Sequence, residues 1–160
     1  MATENKNLSH YNKSQVPDGS KMTIGLVVSE WNTEITENLF EGAQEALLDC
    51  NVNSANIIRW NVPGSFELPF GCKKMIAETK VDAIVAIGSV IRGETSHFDF
   101  VCAATAQGIM ELNVTTDVPV IFCVLTDDTI EQSRARSGGK HGNKGTEAAI
   151  AALKMVALGN

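Results

Sequence analysis

The sequence predicts an α/β fold, a three-layer α/β/α sandwich around a four-stranded parallel sheet. Three observations support this prediction. Short apolar runs alternate with helical patterns of ten or more residues, as right-handed crossovers between parallel strands require. The apolar runs carry few polar residues, which indicates strands covered on both faces. A chain of 160 residues is long enough for one domain with a substantial core.

The chain divides into a polar N-terminal segment and one domain. Residues 1–21 are polar throughout and predict a flexible arm, which leaves residues 22–160 as a single domain. The arm lacks the apolar centre of a secretory signal, and no run is long enough to cross a bilayer. We therefore expect the protein to be cytoplasmic.

Four apolar runs predict the strands of the sheet. They span residues 22–30, 54–62, 82–91 and 118–126, and the third is the most hydrophobic. Because helical patterns separate all of them, we expect parallel pairing in the flavodoxin-like order 2-1-3-4.

Five stretches predict helices, at residues 33–51, 67–80, 97–114, 128–138 and 145–159. In the first, Ile35, Leu39, Ala43 and Leu47 recur at helical spacing and predict an amphipathic helix. Pro69 is compatible with the second because it falls in the first turn. A glycine-rich linker separates the last two helices.

Charge and cysteine content exclude several kinds of partner. The net charge of −6 argues against nucleic acid or an anionic membrane as the main partner. The four cysteines form no CxxC pair and lie in apolar stretches, which predicts buried free thiols. The three histidines are scattered without zinc spacing, so no metal site is predicted.

The chemically unusual loops all follow predicted strands. They are residues 30–32, 62–67, 88–97 and 126–128. Ligands bind beyond the carboxyl ends of strands in such sheets, so these loops predict one shared site.

The loop at residues 88–97 has the features of an anion site. Gly93 suits a tight turn, and Ser96 and Asp99 have capping-box spacing, which predicts a helix start near His97. Free N–H groups of residues 94–97 would then favour a phosphate or carboxylate. A loop that only caps a helix is an equal alternative. His97 is either a proton shuttle near pH 7 or a solvated side chain at the helix start.

Three further segments allow two interpretations each. Residues 134–147 are rich in cations and glycine, which favours an anion partner over a flexible linker. Trp31 either stacks on a planar ring or belongs to the core, with the core slightly favoured, and Asn32 is expected to cap the first helix. Residues 62–67 contain a Pro-Gly turn, Ser65 as an expected helix cap, and Glu67 in the first turn. Structural roles account for most of these features, and the free hydroxyl and carboxylate are a weak indication of polyol recognition.

Three motifs together resemble the lumazine synthase family of riboflavin biosynthesis. They are VPGSFELP, AIGSVIRGETSHFDFV and RSGGKHGNKGTEAA, in the family's order and spacing. The resemblance covers about residues 22–158. It implies a transferase that condenses 5-amino-6-(D-ribitylamino)uracil with 3,4-dihydroxy-2-butanone 4-phosphate, without a metal or organic cofactor, in a site between subunits of a pentamer.

The resemblance also implies a role for individual residues. His97 matches the proton-transfer histidine, and Arg136, with Glu94 and Thr95, matches the phosphate site, the arginine coming from the adjacent subunit. The pyrimidine and the ribityl chain are expected at Trp31, Asn32, Ser65, Phe66, Glu67, Val90, Ile91, Phe122, Lys144 and Glu147. Trp31 stands where the family usually has phenylalanine, and bound riboflavin is therefore a minor hypothesis.

The implied assembly is a homo-oligomer. The compact SGGKHGNKG linker favours a shell of 60 subunits over a free pentamer, riboflavin synthase is a possible partner, and the arm is expected to pair with a neighbouring subunit. Two alternatives stay open: a flavodoxin-like module that carries a flavin without catalysis, and a structural shell protein that has lost its activity.

Overall fold

The computed structural model describes residues 7–159, and its centre is one parallel sheet. The four strands are β1 (Ile24–Ser29), β2 (Ile57–Val62), β3 (Ala83–Ile91) and β4 (Val120–Asp127). They pair in the order β2-β1-β3-β4, all parallel, with Val28 opposite Asn61 on one side and Ile87 on the other. The predicted architecture and strand order are confirmed.

Five helices surround the sheet. They are α1 (Thr33–Asp49), α2 (Leu68–Glu78), α3 (His97–Thr115), α4 (Ile130–Arg136) and α5 (Lys144–Val156). Helices α1 and α5 pack on one face, and α2 and α3 pack on the other. Pro69 lies in the first turn of α2, where its missing N–H costs no helical hydrogen bond. In the described part of the chain, no helix is long and apolar enough to span a membrane.

The core consists of two layers, one on each face of the sheet. In β1, Val28 points into the layer of α1 and α5, whereas Val27 points into the layer of α2 and α3. All six residues of β1 are buried, as expected for a central strand with helices on both sides. Leu39 and Leu47 of α1 are fully buried, so the predicted apolar face of this helix is confirmed.

The glycine-rich linker is not irregular. It forms a small antiparallel hairpin of β5 (Ser137–Gly139) and β6 (Gly142–Asn143). Gly138 and Gly142 have φ values of 113° and 82°, which residues with a Cβ rarely adopt. The glycine-rich linker between α4 and α5 is thus a hairpin in which Lys140 and His141 form the turn, with Gly138, Gly139 and Gly142 in its two short strands.

The segment before β1 lies against its own chain from residue 7 onward. The N–H of Leu8 donates to the carbonyl of His141 over 2.8 Å, and Ser9 Oγ accepts from the N–H of Asn143 over 2.9 Å. Tyr11 Oη donates to Asp49 Oδ2 over 2.7 Å. The arm thus contacts the hairpin and the end of α1, whereas its first six residues lie outside the described residues.

Candidate active site

A crevice of about 580 Å³ lies beyond the carboxyl ends of β1, β2 and β3. It is lined by nine residues of the sequence prediction: Trp31, Asn32, Ser65, Phe66, Glu67, Val90, Ile91, Thr95 and His97. A wider groove of about 740 Å³ beside α1 and the hairpin is lined by none of the predicted site residues. The crevice is therefore the candidate active site.

The turn after β1 supplies an aromatic ring and an amide at the mouth of the crevice. Trp31 is 72% exposed, so the interpretation of this residue as a core side chain was wrong. Asn32 has a φ of 60°, and its side chain does not cap α1. Asn32 Nδ2 instead donates to the carbonyl of Ser89 over 2.8 Å, which joins the turn to the end of β3. The expected cap failed because this distant carbonyl is a partner that local sequence does not reveal.

The turn after β2 supplies a second aromatic ring and a carboxylate. Ser65–Glu67 is a 3₁₀ turn whose N-cap residue is Gly64, so Ser65 is not the predicted helix cap. Ser65 Oγ is buried without a hydrogen-bond partner in the described part of the chain. Phe66 is 58% exposed, and Glu67 is exposed beside it. The turn thus presents an apolar face and an acceptor group to the crevice.

The loop after β3 begins α3 without the predicted capping box. Ser96 is the N-cap residue of α3 but makes no side-chain cap hydrogen bond. Asp99 is engaged elsewhere, with its carboxylate oxygens 3.2 and 3.4 Å from the guanidinium of Arg92. Thr95 Oγ1 accepts from the N–H of His97 over 3.4 Å, a long and weak hydrogen bond. The capping box failed because Arg92 binds the carboxylate on which it depends.

His97 is the first residue of α3 and lines the crevice. Its side chain is exposed, and its imidazole has no hydrogen-bond partner within residues 7–159. An imidazole without a fixed partner can accept or donate a proton to a molecule bound in the crevice. The geometry therefore permits the predicted proton transfer.

Five predicted site residues do not line this crevice within one chain. Glu94 is exposed on the loop, and Phe122 lies on the edge strand β4. Arg136 ends α4, and no partner for its guanidinium is found in the described part of the chain. Lys144 Nζ lies 3.1 Å from Glu147 Oε2 at the start of α5. A single chain therefore brings together seven of the ten residues expected at the pyrimidine and the ribityl chain, with Thr95 and His97, but not this second group.

The sequence prediction missed several residues of the site. Ser89 lines the crevice, is 1% exposed, and has a side-chain oxygen with no partner in the described residues. Phe98, Phe100 and Val101 of α3 also line it. Phe98 and Val101 are three residues apart in the helix that begins at His97, which places both on the same side of that helix. This spacing was the signal that could have found them. Ser89 gave no such signal, because small residues are common in buried strands.

The cysteines do not offer a nucleophile to the site. All four are free thiols, three of them are buried, and Cys102 on α3 is half-buried. Burial raises the pKa of Cys72 and that of Cys123 to about 12. Burial is also the main cause that raises the pKa of Cys102. Thiols with such raised pKa values stay protonated near neutral pH and react slowly.

Comparison with known proteins gives one consistent result. A family model described as 6,7-dimethyl-8-ribityllumazine synthase matches residues 21–160. The chain is 65% identical over 159 residues to the 6,7-dimethyl-8-ribityllumazine synthase of Christiangramia forsetii, covering 99% of this chain and 95% of the relative. It is 64% identical to the enzyme of that name from Flavobacterium johnsoniae, covering 98% of this chain and 82% of the relative. For Parabacteroides distasonis the identity is 53%, with 98% of each chain covered.

Proposed function

Because the chain belongs to the 6,7-dimethyl-8-ribityllumazine synthase family, we propose that the crevice is where it carries out the family's reaction. This reaction condenses 5-amino-6-(D-ribitylamino)uracil with 3,4-dihydroxy-2-butanone 4-phosphate. It gives 6,7-dimethyl-8-ribityllumazine, phosphate and water, the penultimate step of riboflavin biosynthesis. The observation that carries the proposal is the convergence of Trp31, Phe66 and His97 on one crevice from three separate loops.

The ends of β1 and β2 hold the pyrimidine and its ribityl chain in this proposal. An exposed indole such as Trp31 offers a flat face for a heterocycle, and Phe66 adds a second apolar wall. The carboxylate of Glu67 accepts hydrogen bonds from ribityl hydroxyls. Ser65 and Ser89 carry buried hydroxyl groups without partners in the described chain, which would gain partners from a bound polyol.

The loop between Arg92 and His97 holds the phosphate in this proposal. The backbone N–H groups of Glu94 and Thr95 have no acceptor in the described part of the chain. They lie just before the N-terminus of α3, where the helix dipole favours an anion. Thr95 adds a hydroxyl, and Arg136 of a neighbouring chain supplies a guanidinium for bidentate contact.

His97 moves the protons of the reaction. Attack of the substrate amine on the ketone gives a carbinolamine, which takes up a proton as it loses water. A proton then leaves carbon as phosphate departs, and the resulting enol becomes a ketone. The ribityl-bearing nitrogen attacks this ketone, and loss of a second water closes the ring. Each step moves a proton, and the exposed imidazole of His97 at the crevice can accept or donate one. Holding two reactants together supplies much of the remaining acceleration.

A neighbouring chain completes the site in this proposal. Phe122, Arg136, Lys144 and Glu147 lie away from the crevice of their own chain, which supports a contribution to the next one in a pentamer. The five-residue span from Gly138 to Gly142 is compact, which favours assembly of pentamers into a 60-subunit shell. We also propose that the N-terminal arm, residues 1–21, pairs with a neighbouring subunit, that riboflavin synthase is a partner, and that the enzyme is cytoplasmic.

A product assay tests the proposed function. Mixing both substrates with the purified protein is expected to produce lumazine fluorescence above the uncatalysed rate. A flavin-carrying module or an inactive shell protein would give no increase in fluorescence above the uncatalysed rate, and that result would overturn the proposal.

Two further measurements test the assembly and the flavin hypothesis. Light scattering distinguishes a pentamer from a 60-subunit shell. Riboflavin titration tests the minor hypothesis at Trp31, because no quenching of protein fluorescence at high micromolar riboflavin would exclude it.

A further inference from the structure

Arg92 connects three points around the loop that precedes His97. Its Nε donates to Asp128 Oδ1 over 2.8 Å, and its two terminal nitrogens lie 3.2 and 3.4 Å from the carboxylate of Asp99. Its guanidinium also lies 4.1 Å from the centre of the Phe98 ring. Phe98 and Asp99 directly follow His97, so Arg92 holds the first turn of α3 next to the imidazole.

The backbone of Arg92 fixes the other end of the same loop. Its N–H donates to the carbonyl of Asp127 over 2.9 Å, which continues the pairing of β3 with β4. Residues 93–96 are therefore bounded on one side by this strand pairing and on the other by the contacts of Arg92 with α3. A side chain at Gly93 would meet no other atom within 4 Å, so packing of this residue does not fix the loop.

We propose that Arg92 is a positioning residue that shapes residues 93–97 for the phosphorylated substrate and does not itself bind the phosphate. This inference rests on the proposed function, because it assumes that the loop holds the phosphate. Nothing in the sequence motif alone separates a positioning arginine from a phosphate-binding one, since both would sit in the same loop.

The contacts of Arg92 support positioning over direct binding. Both sides of its guanidinium fork are occupied by carboxylates, and a face of the group lies against Phe98. Hydrogen bonds that Arg92 donates to Asp99 and then to Asp128 raise the pKa of Arg92, so the pair of carboxylates stabilises its charge. Arg92 is not among the residues that line the crevice. A phosphate would have to displace these partners to reach the guanidinium.

Asp128 provides the decisive variant because it lies outside the crevice and, among residues 7–159, its carboxylate hydrogen-bonds to Arg92 and to no residue of the loop 93–97. In Asp128→Asn, the ion pair is lost while the loop, His97 and Asp99 keep their identity. We expect the KM for the phosphorylated ketone to rise about tenfold, in line with the effect of displacing a substrate-positioning group. The KM for the pyrimidine is expected to change less than about twofold. An unchanged KM for the ketone would overturn the inference.

Arg92→Met is expected to raise the same KM at least as much, and its effect should not add to that of Asp128→Asn in the double variant. A different explanation is that Arg92 only neutralises Asp99 beside the phosphate. The variant pair Arg92→Met with Asp99→Asn tests this, since the added Asp99→Asn change would then restore the KM. Restoration would overturn positioning, whereas a KM that stays raised supports it.

Arg59→Met is the matched control. Arg59 also forms an ion pair, with Glu37 Oε2 2.9 Å from its Nη1, and also lies over a ring, 4.3 Å from the centre of Phe40. Arg59 lines no part of the crevice, so both KM values should stay unchanged in this variant.

Competitive inhibition by inorganic phosphate gives a second readout. We expect the inhibition to weaken only in the Arg92 and Asp128 variants. If the wild-type protein made no product, the proposed function would fail first, and an active wild type with unaltered variants would refute this inference alone.

Discussion

The Gly93→Ala variant tests two properties of the loop separately. One is whether the backbone at residue 93 requires glycine, and the other is whether the bound substrate requires the space that a methyl group would fill. A Cβ at Gly93 would meet no atom within 4 Å, and Gly93 is not among the residues with positive φ. Alanine is therefore compatible with the loop conformation. The variant should gain about 0.4–1 kcal/mol because its unfolded chain has less freedom. For a domain of this size, that corresponds to a rise in Tm of about 1–4 °C.

The same methyl group should impair catalysis. Gly93 lines the crevice next to Glu94 and Thr95, where the phosphate approaches the backbone in the proposed function. An extra methyl at a close contact is worth about tenfold or more in binding, so the KM for the phosphorylated ketone should rise by that factor. The measurements are a thermal melt without substrate and initial rates with each substrate varied.

Two results would refute this reasoning, one for the predicted rise in Tm and one for the predicted rise in KM. A lower Tm would mean that the loop depends on glycine's conformational freedom, and an unchanged KM would mean that the phosphate stays away from Gly93. Gly145→Ala is the contrasting variant, because its Cβ would overlap the carbonyl oxygen of Leu39. We expect this change to destabilise the fold by about 3 kcal/mol, as overpacking does.

Four further predictions concern the site and the fold. His97→Ala should slow turnover by roughly one to two powers of ten, and complete loss in a folded variant would contradict catalysis mainly by proximity. Arg136→Ala should raise the KM of the phosphorylated ketone far more than that of the pyrimidine, and equal effects in steady-state kinetics would argue against phosphate binding. Leu47→Ala, at a fully buried position, should lower the free energy of unfolding by about 2–5 kcal/mol in urea titrations. The pKa of Glu37 is lowered, chiefly by its hydrogen bond from Arg59, so the wild type's stability advantage over Glu37→Gln should be present above the ordinary pKa of 4.5 and disappear as the pH falls through the lowered value; an advantage that persisted in strong acid would exclude this ion pair as its cause.

The sheet was predictable from the sequence because its signals are local and repeated. Each parallel strand is an apolar run followed by a helical pattern, and this alternation dictates crossovers and strand order. Three of the four loops predicted to share one site do so, because nine predicted residues from 30–32, 62–67 and 88–97 line the crevice. Residues 126–128 do not line it, so the prediction was wrong for that loop.

The side-chain roles at the loop ends were less predictable because distant partners decide them. Asn32 binds the carbonyl of Ser89 instead of capping α1, and Asp99 binds Arg92 instead of completing a capping box. Arg92 in turn depends on Asp128, 36 residues along the chain. Competition between a local cap and a tertiary partner has no signature in a short window of sequence.

The order of strands in the sheet has a consequence for how the protein gains activity while folding. The central strands β1 and β3 become neighbours only after the chain between them, with β2 and α2, has been synthesised and folded back. Pairings between such distant segments form slowly. Trp31 and His97 come to face the same crevice only once that pairing exists, so recovered turnover in a refolding experiment reports a completed sheet, whereas regained helicity alone does not.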